Sequence, residues 1–277
     1  MTSPAVDSSP AFGATSHADF TALFTSLGVP ADLVGIAWAK LVSGEVTLLA
    51  LSGKMGSGKD TIAPAVLVAL GYGPLGQVQI SRALRSELDQ VIAIVTEAPN
   101  PEVAVGEVSS RMTVDAEAAG CVVGTLFELC HRPSGPPSAW DRLPEIRRAL
   151  QQWGTEVRRA GDDDYWLRRV LAGVPATLAA GCAVYWTDVR SPNEVQWARR
   201  SGFFVARLDV DLDVCRDRIR RRDGIEIDPD ALNHPTETAL DGYAGFDLVV
   251  PNNGAPEPTV AVIAAAMTDR HRPGEPG

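Results

Sequence analysis

Short apolar runs alternate with stretches of helical periodicity along most of this chain. The runs at residues 46–52, 183–189 and 203–210 are dominated by apolar and β-branched side chains, which is typical of strands buried on both faces of a parallel sheet. Shorter runs at residues 77–80 and 247–250 predict two further strands. Because helical patterns separate the strands, we expect an α/β fold with a five-stranded parallel sheet and right-handed crossovers.

Apolar residues spaced three and four apart predict the helices. Two helices within residues 19–43 are separated by a Gly-Val-Pro turn, and the Ser- and Pro-rich segment before them predicts a loose tail. We therefore divide the chain into an N-terminal extension, residues 1–44, and a main domain, residues 45–277. The other predicted helices lie at residues 61–70, 81–96, 114–130, 143–172 (with a break near Gly161), 213–222 and 258–267.

Composition narrows the function classes. The net charge of −10 argues against broad nucleic-acid binding, and no apolar run approaches the length of a membrane span. The N-terminus lacks the basic start and apolar stretch of a signal peptide, so we expect a soluble, cytoplasmic protein with neither a nucleic-acid nor a membrane partner. The four cysteines form no Cys-x-x-Cys pair and predict reduced, buried thiols, and the N-terminal helices offer a surface for a homodimer.

A glycine-rich loop stands between the first strand and its helix. Residues 53–61 read GKMGSGKDT, so that Gly53, Gly58 and Lys59 meet the pattern G-x-x-x-x-G-K. Small residues let the backbone wrap until successive N–H groups face one phosphate, at the positive end of the helix dipole. The pattern is weak alone, but strand and helix supply the context it requires, and Lys59 would bridge the β- and γ-phosphates of ATP. The predicted ATP-binding residues are Gly53, Gly56, Ser57, Gly58, Lys59, Asp60 and Thr61.

The position after the lysine departs from the usual pattern. It normally holds Ser or Thr, whose hydroxyl contacts Mg²⁺, but here it is Asp60, followed by Thr61. A carboxylate beside triphosphate oxygens is repelled unless a cation intervenes, so we expect Asp60 to reach Mg²⁺ directly or through water. The alternative is that Asp60 merely caps the helix. Asp188, at the carboxyl end of a buried strand, is the second candidate for Mg²⁺, because ligands bind there in open α/β sheets.

A helical stripe predicts a second anion site. If residues 147–158 are helical, Arg147, Gln151, Gly154 and Arg158 fall at i, i+4, i+7 and i+11 on one face. Arginine forks onto phosphates, glutamine bonds base edges and glycine admits close approach, so the stripe suits a phosphorylated acceptor. A solvated arginine face explains the same spacing equally well.

Further acceptor candidates lie outside this stripe. Ser81, Arg82 and Arg85 follow the second strand, where small-metabolite kinases with such a loop carry the acceptor. Arg190 follows the strand that carries the second metal candidate, and its guanidinium suits a phosphate. Trp166 is either a platform for a base or a core tryptophan.

An arginine-rich helix is the candidate lid. Arg216 and Arg220 lie four residues apart, and we expect them to neutralise charge on the moving phosphoryl group as a lid at about residues 213–236 excludes water. Because aspartates lie nearby, surface ion pairs are the alternative.

Several short motifs follow one another from about residue 46 to residue 254 in a specific order. They are GKMGSGKDT at 53–61, LQQWGTE at 150–156 with Asp163 and Trp166 behind it, DVRSPNE at 188–194, HPTE at 234–237, and Asp247 through Asn252-Asn253-Gly254. Each is short, but their succession resembles the bacteriophage deoxynucleoside monophosphate kinases.

The resemblance implies a P-loop NMP-kinase-like, three-layer fold with a helical acceptor-binding insertion at about residues 77–172 and a short Arg-rich lid. It also implies ATP and Mg²⁺ as cofactors, a dNMP acceptor and, for a phage-encoded enzyme, the host cytoplasm. Within LQQWGTE it adds Thr155 and Glu156 to the acceptor residues. The alternatives are another small-molecule P-loop kinase, such as one acting on dephospho-coenzyme A, and a P-loop ATPase or nucleotide sensor without an acceptor.

Overall fold

Strands and helices alternate along the chain, as the apolar pattern predicts. The computed structural model describes residues 15–224 and 235–270. The strands are β1 (Leu48–Ser52), β2 (Leu75–Val78), β3 (Ala183–Val189), β4 (Phe204–Asp209) and β5 (Leu248–Pro251). The helices are α1 (His17–Ser26), α2 (Ala31–Val42), α3 (Lys59–Ala69), α4 (Ile80–Glu97), α5 (Pro101–Met112), α6 (Ala116–Cys130), α7 (Pro144–Gln151), a π-helical segment (Gln152–Val157), α8 (Tyr165–Leu171), α9 (Val174–Ala179), α10 (Pro192–Arg200), α11 (Leu212–Asp223), α12 (Pro235–Thr238) and α13 (Pro256–Arg270).

All five strands form one parallel sheet in the order β2-β3-β1-β4-β5. The predicted α/β fold and five-stranded parallel sheet are therefore confirmed. Strand β1 is central and fully buried, with Leu49 opposite Tyr185 of β3 on one side and Phe204 of β4 on the other. Such burial on both faces explains why β1 is an unbroken apolar run rather than an alternating one.

Helices adjoin both faces of the sheet. Leu49 and Leu51 of β1 belong to a core cluster with residues of α3 and α13. The side chain of Leu48 points to the other face of the strand. A Cβ added to Gly202 would lie within 4 Å of both Leu48 and Phe20 of α1, so these two side chains are neighbours on that face. The predicted N-terminal helices therefore lie on the other face of the sheet from α3 and α13, and α2 packs against α9.

The chain divides into two compact units. One contains the sheet and comprises residues up to Val78 together with those from Ala172, and the other, Gln79–Leu171, is helical. The helical unit begins and ends within two residues of the insertion predicted at 77–172. Its core joins α4, α5, α6 and α7 around side chains such as Leu88, Val122 and Trp153.

The carboxyl ends of β1 and β3 border a topological switch point. From β1 the chain runs through α3 to β2, beyond β3, whereas from β3 it runs through α10 to β4 on the far side of β1. Ligands of open α/β sheets bind at such a point, outside the carboxyl ends of the strands. The glycine-rich loop follows β1, and Arg190 follows β3.

Most predicted helices are present, but α5, α9 and the short α12 were missed and one predicted helix was wrong. Helix α5 has Pro101 and α9 has Pro175 in the first turn, where proline is favoured. The single long helix predicted at 143–172 is instead α7, the π-helical segment and α8. In the described part of the chain, no helix combines the length and apolarity that crossing a membrane requires. All four cysteines are free, but only Cys130 and Cys215 are buried as predicted, whereas Cys182 is half-buried and Cys121 is exposed.

Candidate functional site

The glycine loop, residues 53–58, joins β1 to α3 and requires glycine at two close approaches. Gly56 has a φ of +80°, and a Cβ there would lie 2.6 Å from the carbonyl oxygen of Cys215 in α11. Gly58 has a φ of +94°, and its Cβ would lie 3.0 Å from Nδ2 of Asn252. Since other residues are strained at positive φ, only glycine lets the loop turn this tightly against its neighbours.

Lys59, the first residue of α3, folds back over the glycine loop. Its Nζ donates to the carbonyl oxygens of Gly53 at 2.6 Å and Lys54 at 3.0 Å. Burial, and then the positive charge of Arg190, lowers the pKa of Lys59 from 10.5 to about 8, although the carboxylates of Glu237 and Asp60 act in the opposite direction. An anion that entered the loop would stabilise the charged form of this lysine.

Two side chains hold the trailing half of the loop, residues 56–58. The carbonyl oxygen of Ser57 accepts hydrogen bonds from Asn252 Nδ2 at 2.8 Å and from Arg218 Nη1 at 3.3 Å. The Oδ1 of Asn252 accepts in turn from the Thr259 hydroxyl at 3.0 Å. Sequence reasoning noted Asn252 only within a motif, although its place directly after β5, at the carboxyl edge of the sheet, was a usable signal.

Two carboxylates hold the leading half of the loop, residues 53–55. Oε2 of Glu237 accepts from the Met55 N–H at 2.7 Å, and Oε1 pairs with the guanidinium of Arg190. Asp241 pairs with Lys54, whose Nζ lies 2.8 Å from Oδ2. Because these acids come from far along the chain, sequence spacing gave no indication of either contact.

Asp60 is exposed in the first turn of α3 and accepts a hydrogen bond of 2.5 Å from the Thr187 hydroxyl. The N-cap of α3 is Gly58, so Asp60 is not the N-cap residue and lies instead as an acidic residue in the first turn. Thr187 and Asp188 lie where the β1–β3 register shifts, and such bulges re-aim side chains. Asp188 is half-buried and accepts from Trp186 Nε1.

A cavity of about 340 Å³ opens beside the glycine loop. Its wall combines the loop and the first turn of α3 with Arg218 and Arg222 of α11 and with Asn252 and Gly254 after β5. Residues of the glycine loop, a buried lysine and two arginines thus border one cavity, which is an environment suited to a phosphorylated ligand.

The wall carries a different arginine pair from the one that the sequence favoured. Arg216 and Arg220 form ion pairs with aspartates three residues earlier, at 3.1 and 2.6 Å, and neither lines the cavity. The buried positions of α11 are Cys215 and Ile219, and the cavity arginines flank that stripe. The spacing of Cys215 and Ile219, four positions apart in the sequence, was the signal that indicates which face of α11 is buried. Residues 225–234 of the predicted lid lie outside the described residues.

In the helical unit, one buried carboxylate collects four donors. Glu87, whose side chain is 3% exposed, accepts from Trp153 Nε1 at 3.1 Å, Arg158 Nε at 2.9 Å and the Tyr165 hydroxyl at 2.6 Å. The Nε of Arg169 lies 3.1 Å from the same carboxylate. Burial, and then the hydrogen bond to Glu87, raises the pKa of Tyr165 to about 12. The cluster ties α4 to the π-helical segment and α8.

Three residues of the predicted acceptor site are instead enclosed within the helical unit. Arg158 is buried there and also donates from Nη1 to the Met112 carbonyl at 2.9 Å. Trp166 is 1% exposed and donates to the carbonyl oxygen of Gly154 at 3.0 Å, so it is a core tryptophan. Gly154 is close to a side chain rather than open to a ligand, since its Cβ would lie 3.2 Å from Leu84.

The π-helical segment explains why the predicted stripe is not continuous. Positions spaced i, i+4, i+7 and i+11 share a face only while the chain keeps α-helical hydrogen bonding, and a wide π turn rotates everything after it. Arg147 and Gln151 come before the segment and are exposed, whereas Arg158 comes after it and faces the core.

The remaining acceptor candidates lie at the surface of the helical unit, except Arg190, which belongs to the unit of the sheet. Arg85 is half-buried, donates from Nη1 to the Ala139 carbonyl at 2.5 Å and lies 5.1 Å from the ring of Trp140. Trp140 is 54% exposed and was not considered from the sequence. The exposed candidates are Ser81, Arg82, Arg147, Gln151, Thr155 and Glu156.

A comparison of the chain with models of known protein families finds no match.

Proposed function

We propose that this protein is a P-loop kinase that transfers the γ-phosphate of ATP to a deoxynucleoside monophosphate, giving ADP and the diphosphate. One observation carries the proposal. The lysine of the glycine loop is buried against the loop's own carbonyl oxygens, at the start of a helix that borders a cavity with two arginines.

Binding of ATP would use the loop and the cavity together. The N–H groups of the loop and the positive end of the α3 dipole attract the phosphates, and the Lys59 ammonium reaches the β- and γ-phosphates. The cavity of about 340 Å³ is within the size range of small-molecule sites and would take the rest of the nucleotide. In this proposal the cations that α11 supplies are Arg218 and Arg222, which line the cavity, in place of Arg216 and Arg220.

Asp60 fits the predicted role at Mg²⁺. Protein-bound Mg²⁺ takes oxygen ligands, commonly one or two carboxylates together with substrate phosphates and water. Asp60 presents an exposed carboxylate whose orientation is fixed by Thr187, and it adjoins the cavity. When bound, Mg²⁺ would neutralise charge on the phosphate oxygens. Asp188 stays the second candidate.

The acceptor would be held by cations and an amide. Arg82, Arg147 and Gln151, all exposed in the helical unit, carry the charge and the amide that suit such an acceptor. Arg190 stays a separate candidate in the unit of the sheet. The acceptor phosphate is already ionised at neutral pH, so no general base is needed. These residues therefore act by positioning and charge neutralisation.

A coupled ADP-release assay tests the proposal. The purified protein is given ATP and Mg²⁺ with each common NMP, each dNMP or dephospho-coenzyme A in turn, and Lys59→Ala is the control for contaminating kinases. We expect release that depends on one or more dNMPs and disappears in Lys59→Ala. Release that no acceptor stimulates would instead identify an ATPase or sensor, and stimulation by dephospho-coenzyme A alone would identify the other kinase.

The metal role of Asp60 has its own test. Asp60→Asn removes the charge but keeps an oxygen that accepts from Thr187, so we expect the Mg²⁺ concentration for half-maximal ATP binding to rise about tenfold. Thr61→Ala is the matched control, because Thr61 occupies the neighbouring exposed position. A larger effect in Thr61→Ala would move the metal contact to that hydroxyl.

A further inference from the structure

The leading half of the glycine loop is held by a strap, residues 237–241, which carries a carboxylate at each end. The two acids differ in burial. The side chain of Glu237 is 3% exposed, whereas that of Asp241 is 44% exposed. A buried carboxylate needs strong partners, and Glu237 has the Met55 N–H at 2.7 Å and the guanidinium of Arg190.

The partners of Glu237 are those that a phosphate would use. A backbone N–H of a glycine-rich loop and an arginine guanidinium are both common phosphate donors. The contact also has a defined place in the loop. The peptide group between Lys54 and Met55 receives the Lys59 ammonium at its carbonyl oxygen and Glu237 at its N–H. In a loop of this kind the lysine lies toward the γ-phosphate, so Glu237 holds that end.

We propose that the Glu237 carboxylate is an internal anion that occupies the γ-phosphate end of the glycine loop and is displaced by the terminal phosphate of a nucleoside triphosphate. The inference rests on the proposed nucleotide site, but not on transfer to an acceptor. Displacement releases Arg190 from Glu237, so this arginine becomes available to a second phosphate only after a triphosphate has bound. A diphosphate leaves the contact intact.

The substitution Glu237→Gln tests the displacement. Glutamine keeps an oxygen that accepts from the Met55 N–H but removes the charge that opposes the γ-phosphate. We measure the Kd of ATP, ADP and inorganic tripolyphosphate by calorimetry and expect ATP and tripolyphosphate to bind about tenfold more tightly, with ADP changed less than about twofold. Asp241→Asn is the matched control, because it removes a strap carboxylate that pairs with side chains only. We expect this control to leave the ratio of the Kd of ADP to the Kd of ATP unchanged.

Each outcome decides the inference. A rise in the ADP-to-ATP ratio of dissociation constants supports it, and an unchanged or lower ratio overturns it while leaving the proposed kinase intact. A rise without any dNMP-dependent ADP release supports the internal anion and refutes the kinase. If neither protein binds ATP or tripolyphosphate, both ideas are wrong. Should Glu237→Gln fail to fold, Glu237→Asp withdraws the carboxylate by one methylene, and a ratio that does not rise in that variant also overturns the inference.

Discussion

Lys59 is charged in a place that disfavours charge, and its replacement by methionine should therefore stabilise the free protein while abolishing ATP binding. A lowering of the pKa from 10.5 to about 8 corresponds to about 3 kcal/mol of destabilisation for the charged form. Methionine keeps much of the apolar stem but loses two hydrogen bonds to loop carbonyls, each worth about 1 kcal/mol. We expect a net gain of about 1 kcal/mol in the free energy of unfolding near neutral pH.

The pH dependence has a definite sign. Between about pH 8 and 10.5 the unfolded wild-type chain keeps the Lys59 proton that the folded protein has lost, so wild-type stability rises with pH relative to Lys59→Met. The advantage of the variant is therefore full below about pH 8 and disappears above it. The proposed ATP binding should show the reverse trend, because it would need the ammonium, and we expect the affinity of the wild type to fall up to about tenfold per pH unit above that value.

Only three lysines are present, so the pKa is directly measurable. We would label lysine with ¹³C at Cε and follow the three signals by NMR as pH rises, with Lys59→Met identifying the signal. A midpoint near 8 that moves upward when ATP is added is the expected result. Urea unfolding at several pH values gives the stability difference, with Lys40→Met controlling for the loss of one positive charge. A midpoint near 10.5, or a stability difference that does not change with pH, would refute the reasoning.

Three other predictions address the rest of the structure. Glu87→Ala removes the carboxylate that pairs with the buried guanidinium of Arg158 and should lower the free energy of unfolding by about 3–5 kcal/mol. A loss below about 1 kcal/mol in urea unfolding would contradict a stabilising role of the Glu87 cluster. Arg218→Ala removes a cation from the cavity wall and should raise the Kd of ATP about tenfold, whereas Arg220→Ala should leave it unchanged, and calorimetry would reveal the opposite ranking if the sequence-based choice was right. Gly56→Ala forces a methyl group to 2.6 Å from a backbone oxygen of α11, so we expect ATP binding to be lost, and a wild-type Kd would show that the loop adapts.

Local signals predicted the sheet and the glycine loop well. The strand β3 was predicted with the bounds that the structure has, because a buried parallel strand is a continuous apolar run. Helix α10 begins at a capping box of Ser191 and Glu194 with proline at the first helical position, a start signal that is visible in the sequence alone. In these places the residues that determine the structure are neighbours in sequence.

The misjudged parts depend on partners far away in sequence. Nothing near Gly154 indicates a π turn, and the turn is accompanied by a donor network around Glu87, more than sixty residues earlier. The choice between two arginine pairs on α11 could not be made from charge, because both are four residues apart, and it depends on which stripe is buried. Glu237 was noted only within a short motif, since its partner Met55 lies 182 positions earlier.

The glycine loop lies early in the sequence, whereas residues that hold it in shape lie late in the sequence. Its trailing half depends on Asn252 and its leading half on Glu237, both of which a ribosome adds nearly two hundred residues after the loop itself. A nascent chain with β1 and α3 already formed would therefore lack the contacts that shape the loop. Under this arrangement the proposed nucleotide could not serve as an early template for folding, and the proposed binding should appear abruptly, only after synthesis has passed β5.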